Sequence, residues 1–387
     1  MRTRTTLGAA VAGLLVSQFA SAASITPSSF SATIGVGGSV TVSKTITLDP
    51  GGAGRVDIFF LTDDTGSMGG VINSVKTTAA SLLTALNGAY SDAAFGVGSY
   101  DGDPREFSDG RLGSPPGPAL NSPYTRQRMI TTDTASVASG IATWAAGGGG
   151  DGPEANFYAL HQVATEGAAT DGLGSTDKPG GLPSGLATGW RTGTQPVIVW
   201  FGDIVSHTTT VDQAEVIAAL VANNVIVVGM NSGGSTSGIN GSGQAAAITA
   251  ATSGVLVNSF ASVPIGSLVA TIVDAIGTVT STVDLSFFHT AGAGMGVSFT
   301  CTDPLGCSDV PGGASRTFDV TFTGLAPGLY NFIVGARGIS AVETDRICVL
   351  APGATSCTTD VAEPGSLALL GLGLLGLGLG RRRLSKS

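Results

Sequence analysis

The sequence predicts an α/β fold: a doubly wound, mostly parallel sheet inserted in a smaller β-sandwich built from the flanking segments. Three observations lead there. From Arg55 to Gly277, short apolar runs alternate with amphipathic stretches, the pattern of strands covered by helices. Residues 25–48 and 283–334 instead alternate in strand fashion between Gly/Pro turns. The chain also combines 59 glycines with 42% hydrophobic residues, so it is rich in tight turns yet apolar enough for a packed core.

Taken in order, residues 1–22 carry Arg2 and Arg4, an apolar stretch from Leu7 to Val16, then Ala20-Ser21-Ala22. That is a secretory signal peptide with a small-residue cleavage site. Residues 23–52 supply the first part of the sandwich, with Val40, Val42, Lys44 and Ile46 on alternate positions. The central domain, 53–280, opens with the strand Val56–Leu61. A helix follows, with Val71, Ile72, Val75, Ala79, Leu82, Leu83 and Leu86 forming an i, i+3, i+4 stripe. Ala94–Ser99 is a second strand and Tyr124–Thr131 an edge strand; Ala155–Val163 is a helix and Val197–Phe201 a buried central strand. The helix Val211–Ala222 feeds the strand Val225–Met230, residues 243–251 precede the strand Val255–Val257, and the helix Ile265–Ile276 closes the set. Residues 281–358 complete the sandwich with strands at Val283–Phe288, Val297–Cys301, Thr317–Phe322 and Leu329–Val334. Too few strands precede the central domain, and too many follow it, for two separate stable sheets, so the flanks are expected to combine.

Composition narrows the function. Charged residues are only 12% and the net charge is -9, an acidic, Lys-poor balance that argues against nucleic acid as partner and is compatible with cation binding. Four cysteines, Cys301, Cys307, Cys348 and Cys357, fall late in a chain bound for an oxidising compartment. Three connectivities are open, and short-range pairing, Cys301 with Cys307 and Cys348 with Cys357, is preferred. Neither spacing is a zinc pattern.

The most informative segment is Asp63-Asp64-Thr65-Gly66-Ser67, placed where the apolar run Ile58–Leu61 breaks into a glycine turn. Asp63, Thr65 and Ser67 alternate, so a carboxylate and two hydroxyls can converge on one point. Oxygen-only donors suit a hard cation, Mg²⁺ before Zn²⁺, with Mn²⁺ or Ca²⁺ as substitutes. In a doubly wound sheet, ligands bind at the carboxyl ends of the strands. Two further segments should meet there: Gly202-Asp203, after Val197–Phe201, and residues 149–154, which carry Asp151 and Glu154. Asp151 and Glu154 also fit an N-cap and its reciprocal partner three residues on, a helix start needing no metal. The long Gly/Pro-rich stretch 101–123 borders this edge as a specificity loop, whereas 167–195 leads from a helix into a strand and should lie on the opposite edge. His207 reads as a turn histidine, and His161 and His289 as structural.

Asp63-x-Thr65-x-Ser67 resembles the Asp-x-Ser-x-Ser motif of von Willebrand factor A domains, the first segment of their metal-ion-dependent adhesion site. Asp203, in Val199-Trp200-Phe201-Gly202-Asp203, is similar to the family's later metal-site aspartate. Gly149-Gly150-Asp151-Gly152-Pro153-Glu154 looks like the second loop of members that use an acidic residue there, as in integrin β subunits. The resemblance implies a cation on Asp63, Thr65, Ser67 and Asp203, with Glu154 and Asp151 as further candidates, and a partner that offers an acidic group to it. Met68-Gly69-Gly70 stands where the adjacent integrin site would need an Asp pair, so a second ion is not expected. Integrin β subunits also set such a domain into an immunoglobulin-like sandwich, an analogy of topology alone.

At the other end, Ala362-Glu363-Pro364, the Leu/Gly tract 367–380 and Arg381-Arg382-Arg383 resemble the bacterial sorting signal named for its Pro-Glu-Pro motif, with Ala362 in place of the first Pro. As a helix the tract would be about 21 Å long, short of a hydrocarbon core of about 30 Å. This resemblance implies processing of the tail, 360–387, by an exosortase-type enzyme, and contact with the membrane only through it.

The expectation is an exported cell-surface or matrix protein of a bacterium that binds its ligand through a divalent metal and is not an enzyme. A structural protein of the exopolysaccharide matrix, with a purely structural ion, is the alternative. Asp64-Thr65-Gly66 also matches the aspartic-protease signature, but that chemistry needs two such loops. The nearest second candidate, Asp133-Thr134-Ala135, lacks the glycine.

Overall fold

A computed structural model describes residues 23–49, 52–102, 123–148, 152–166, 187–208, 210–339 and 341–357. Residues 1–22, expected to be a signal peptide, Asp151, most of the 101–123 and 167–195 stretches and the C-terminal tail lie outside the described residues. Three strands come first: β1 (Ser24–Thr26), β2 (Ser31–Gly35) and β3 (Ser39–Thr47). The central unit then runs β4 (Arg55–Asp63), α1 (Gly69–Ala89), β5 (Asp92–Tyr100), β6 (Thr125–Thr131), α2 (Thr134–Ala142) and α3 (Asn156–Ala164). It continues with β7 (Gln195–Gly202), α4 (Gln213–Ala222), β8 (Ile226–Asn231), α5 (Gln244–Ala251), β9 (Val255–Val257) and α6 (Ile265–Thr280).

These strands form a six-stranded sheet of order β6-β5-β4-β7-β8-β9, parallel except for the edge strand β6. Successive side chains of a strand face opposite sides, and both sides here are covered. Ile58 and Phe60 of β4 join Val71, Val75, Leu82, Val137, Leu268 and Ile272 under α1, α2 and α6. Phe59 and Leu61 join Phe157, Leu160, Val216, Leu220 and Ile248 under α3, α4 and α5. Burial on both faces explains why β4 and β7 read as unbroken apolar runs.

Seven strands follow: β10 (Thr282–Val283), β11 (Phe287–His289), β12 (Met295–Cys301), β13 (Val310–Pro311), β14 (Ser315–Gly324), β15 (Gly328–Ala336) and β16 (Val342–Leu350). N-terminal and C-terminal segments share two sheets, β1-β3-β14-β12 and β11-β15-β16-β2. Val320 and Phe322 of the first pack on Phe332, Val334, Ile347 and Val349 of the second. The central unit is therefore inserted between strands of one sandwich. Both short-range disulfides are present, Cys301–Cys307 and Cys348–Cys357.

Among the elements not expected from the sequence are one helix and one long strand. Helix α2 starts from an Asp133 N-cap whose carboxylate accepts the Ala135 and Ser136 N–H groups, and strand β16 pairs parallel to β2. Below the central sheet, Asp57 accepts Arg191 Nε at 2.7 Å and Thr194 Oγ1 at 2.9 Å, and Arg191 also reaches Asp92 at 2.6 Å. Residues 187–194 thus lie at the amino ends of the strands, opposite the proposed site, as expected for that part of 167–195.

Because β3 is the central partner of β14 over nine residues, removal of residues 23–49 strips the sandwich of three strands. Limited proteolysis should then cut the 283–357 region at a rate typical of unfolded chain, while the wild-type region resists.

Candidate functional site

Parallel register decides what meets at the carboxyl edge. Asp63 pairs with Tyr100, and Thr62 with Phe201. The residues that follow each strand, Asp64, Asp101 and Asp203, therefore emerge side by side. From β4 the chain turns through a single 3₁₀ turn, Gly66–Met68, closed by the Met68 N–H on the Thr65 carbonyl at 3.1 Å. This turn brings residues 63, 65 and 67 to one point. Asp63 Oδ1 accepts the Thr65 N–H at 2.9 Å and the Thr65 hydroxyl at 2.7 Å, and the Thr65 and Ser67 hydroxyl oxygens are 3.3 Å apart.

A groove opens over these atoms, lined by Thr65, Gly66, Ser67, Gly148, Gly152, Glu154, Asp203 and Ile204. Five of the six residues expected at the site, Asp63, Thr65, Ser67, Asp203 and Glu154, thus lie in or beneath one groove; Asp151 falls outside the described residues. Glu154 is buried and accepts the Gly102 N–H on Oε2. Its backbone is clamped to the segment after β7, from Glu154 N to Val205 O at 3.0 Å and from His207 N to Glu154 O at 2.9 Å. The helix-start reading of Asp151 and Glu154 is corrected: α3 begins after an Ala155 N-cap with no side-chain cap. Glu154 precedes that cap and turns to the groove. His207 sits in the turn after Asp203, held through its backbone.

The electrostatics of this edge are strained. Asp63 is fully buried, and its Oδ2 has no hydrogen-bond partner. Burial raises its pKa to about 7; the two Thr65 hydrogen bonds oppose the rise, and the nearby Asp203 and Asp101 add to it. Asp64 is pushed well above the usual carboxylate range, by burial first and then by Asp101. Neither Asp64 nor Asp101 was expected at the site. The parallel-strand rule applied to Ser99-Tyr100-Asp101 would have found the second.

Tyr100 supports the floor. Its hydroxyl donates to the Phe201 carbonyl at 3.1 Å and accepts from Trp200 Nε1 at 2.8 Å. Gly202 makes that approach possible, because a Cβ there would stand 2.7 Å from the Tyr100 hydroxyl and 2.6 Å from Ile239 Cγ2.

Among the described residues no three His, Cys, Asp or Glu side chains are grouped to hold a metal. A cation at this groove would depend on the Thr65 and Ser67 hydroxyls together with carboxylates. The donors fit such an ion on one structural ground: the buried Asp63 Oδ2 lacks a proton donor, and hydroxyl oxygens lie beside the same carboxylate. All donors are oxygen, the set that Mg²⁺, Mn²⁺ or Ca²⁺ takes.

Comparison with known proteins bears on the C-terminal end. Residues 360–383 match the PEP-CTERM protein-sorting motif. The tail is thus a sorting signal of that class, and it implies an exported protein handled by an exosortase-type enzyme. Among the described residues no helix is long and apolar enough to cross a membrane.

The structure is similar to a von Willebrand factor type A protein from Catenulispora acidiphila, at 13% identity over 85% of this chain and 73% of that one, with a TM-score of 0.37. It is also similar to proximal thread matrix protein 1 of the mussel byssus, at 15% identity over 62% of this chain and 51% of that one, TM-score 0.37. A third similarity is to the pilus adhesin SpaC from Lactobacillus rhamnosus GG, at 9% identity over 80% and 46%, TM-score 0.35. This chain therefore spans about half the length of the last two. No curated protein matches it. At such identities the α/β assignment rests on the sheet order itself.

Replacing Gly202 with Ala should force Tyr100 or Ile239 to move, at a cost of about 1–3 kcal/mol. A lowered urea midpoint with an unchanged slope would register it, and Gly152→Ala, where a Cβ meets nothing within 4 Å, is the matched control.

Proposed function

We propose that the protein is an exported binding protein of the cell surface or extracellular matrix that holds its ligand through a divalent cation, and that it is not an enzyme. Asp63, Thr65 and Ser67 would hold the ion, with Asp203 and Glu154 contributing directly or through bound water. Such an ion supplies a positive, ligand-accepting centre in the groove. The chain's own residues do the rest. Thr65 orients the Asp63 carboxylate through two hydrogen bonds, and the exposed Ser67 hydroxyl faces the incoming group. With two neutral hydroxyls in the donor set, a cation keeps enough charge to attract an acidic group from a partner. A ring made only of carboxylates would repel that group.

The observation that carries the reading is the buried Asp63 Oδ2 without a donor, beneath a groove lined by hydroxyl and carboxylate oxygens. Desolvating a carboxylate oxygen in this way is costly unless a cation or donor answers it. The sorting tail agrees with a site of action outside the cell.

Carboxylate-coated beads test the reading directly. Wild-type protein should be retained in magnesium and released by a chelator, and Asp63→Ala should lose at least about tenfold in retention, or about 1.4 kcal/mol. Retention that ignores both magnesium and Asp63→Ala would contradict it. Thermal stabilisation by magnesium without any change in retention would favour a purely structural ion.

A further inference from the structure

A second group of buried ionisable residues lies in the β-sandwich, far from the groove. Lys44 of β3 and Glu343 and Asp345 of β16 belong to opposite sheets and point into the interior, with Lys44 1% exposed, Glu343 3% and Asp345 0%. Lys44 Nζ lies 2.6 Å from Glu343 Oε2 and 3.3 Å from Asp345 Oδ1. The surroundings are apolar. Lys44 pairs with Phe318 across its sheet, while Glu343 and Asp345 pair with Val334 and Phe332 across theirs. Glu343 Oε1 and Asp345 Oδ2 are buried with no hydrogen-bond partner.

As an ion cluster this is a poor arrangement. One ammonium faces two carboxylates, so full ionisation leaves a net negative charge in an apolar core, with two carboxylate oxygens unsatisfied. Buried ion pairs of this kind seldom stabilise a fold more than apolar packing would. As a reaction geometry it is a good one. An amine, a carboxyl carbon and a second carboxyl that can carry protons are held together where water is scarce, and fixed proximity of reactants is worth effective concentrations of about 10⁵–10⁸ M.

We propose that Lys44 and Asp345 condense into an intramolecular isopeptide bond, with Glu343 as the proton carrier. Glu343 takes a proton from the Lys44 ammonium, and the neutral amine attacks Cγ of Asp345. The new Nζ–Cγ bond forms and one Cγ–O bond of Asp345 breaks. The two protons lost by nitrogen leave with that oxygen as one water molecule, and Glu343 ends as it began. No oxidant or other reactant is needed.

Burial raises Glu343 to about 7, with Lys44 opposing and Asp345 adding to the rise, so it can exist in both protonation states. Asp345 is raised as well, by burial first, with Lys44 and the Phe30 backbone opposing. The bond would join residues 301 positions apart. It would lock the strand before the inserted domain to the last strand after it, a covalent closure of the sandwich that the two short-range disulfides do not provide.

Intact mass spectrometry of the purified protein, reduced and denatured, tests this. The mass should fall one water short of the sequence, and digestion should yield a branched peptide joining Lys44 to Asp345. Glu343→Gln and Lys44→Arg should each restore the missing water. A wild-type mass equal to the unmodified sequence, with Lys44 open to amine reagents in the denatured chain, would overturn the proposal whether or not either variant folds. A branch at Glu343 in place of Asp345 would overturn the assignment of roles.

Discussion

The parallel register of β4 between β5 and β7 is the constraint on which the candidate site depends. With Asp63 opposite Tyr100 and Thr62 opposite Phe201, three chain segments must leave the sheet at one level and on one edge. The 3₁₀ turn at Gly66–Met68 then folds the Thr65 and Ser67 hydroxyls back over the end of β4. Nothing in the groove would converge if β4 slipped by one residue, because each side chain would change face. The slip is opposed by the core, where Ile58 and Phe60 fill one side of the sheet while Phe59 and Leu61 fill the other.

The same burial that fixes the register creates the electrostatic problem at its edge. Asp63 is desolvated at the end of a strand packed on both faces, with Asp64, Asp101 and Asp203 nearby. Protonation, hydrogen bonding and cation binding are the ways to relieve such a site. Thr65 supplies two hydrogen bonds, both to Oδ1. The other oxygen, Oδ2, is buried without a hydrogen-bond partner, which is the electrostatic cost that the packing leaves at this edge.

Most of this architecture was legible in the sequence where period and burial agreed. The runs Ile58–Leu61 and Val197–Phe201 are buried on both faces and announced themselves, as did the stripe on α1. One helix and one long strand were hidden for different reasons. Helix α2 is nine residues of mostly small side chains with only Val137, Gly140 and Ile141 buried, too short to show a clear period. Strand β16 alternates well, but two of its inward positions are Glu343 and Asp345, so its pattern reads as polar. That inversion is itself informative, since acidic residues on the inner face of a strand require a partner, and Lys44 stands across the sandwich from them. Within the site, Asp63, Thr65, Ser67 and Asp203 followed from motif and strand order. Asp64 did not, because its role arises from burial and repulsion that spacing alone does not display, whereas Asp101 could have been found from its place just after β5.

The inserted arrangement joins the two halves of the molecule. The flanking strands close on each other, so the central unit leaves and re-enters one sandwich, and Val283, Val310 and Phe318 continue the central core into it. The most direct measurement is diffraction from crystals soaked in manganese and recorded for anomalous scattering. An anomalous peak ligated by the Thr65 and Ser67 hydroxyls and the Asp63 carboxylate, absent from Asp63→Ala crystals, is the expected result. A well-ordered groove that holds no anomalous scatterer at millimolar manganese would contradict the account.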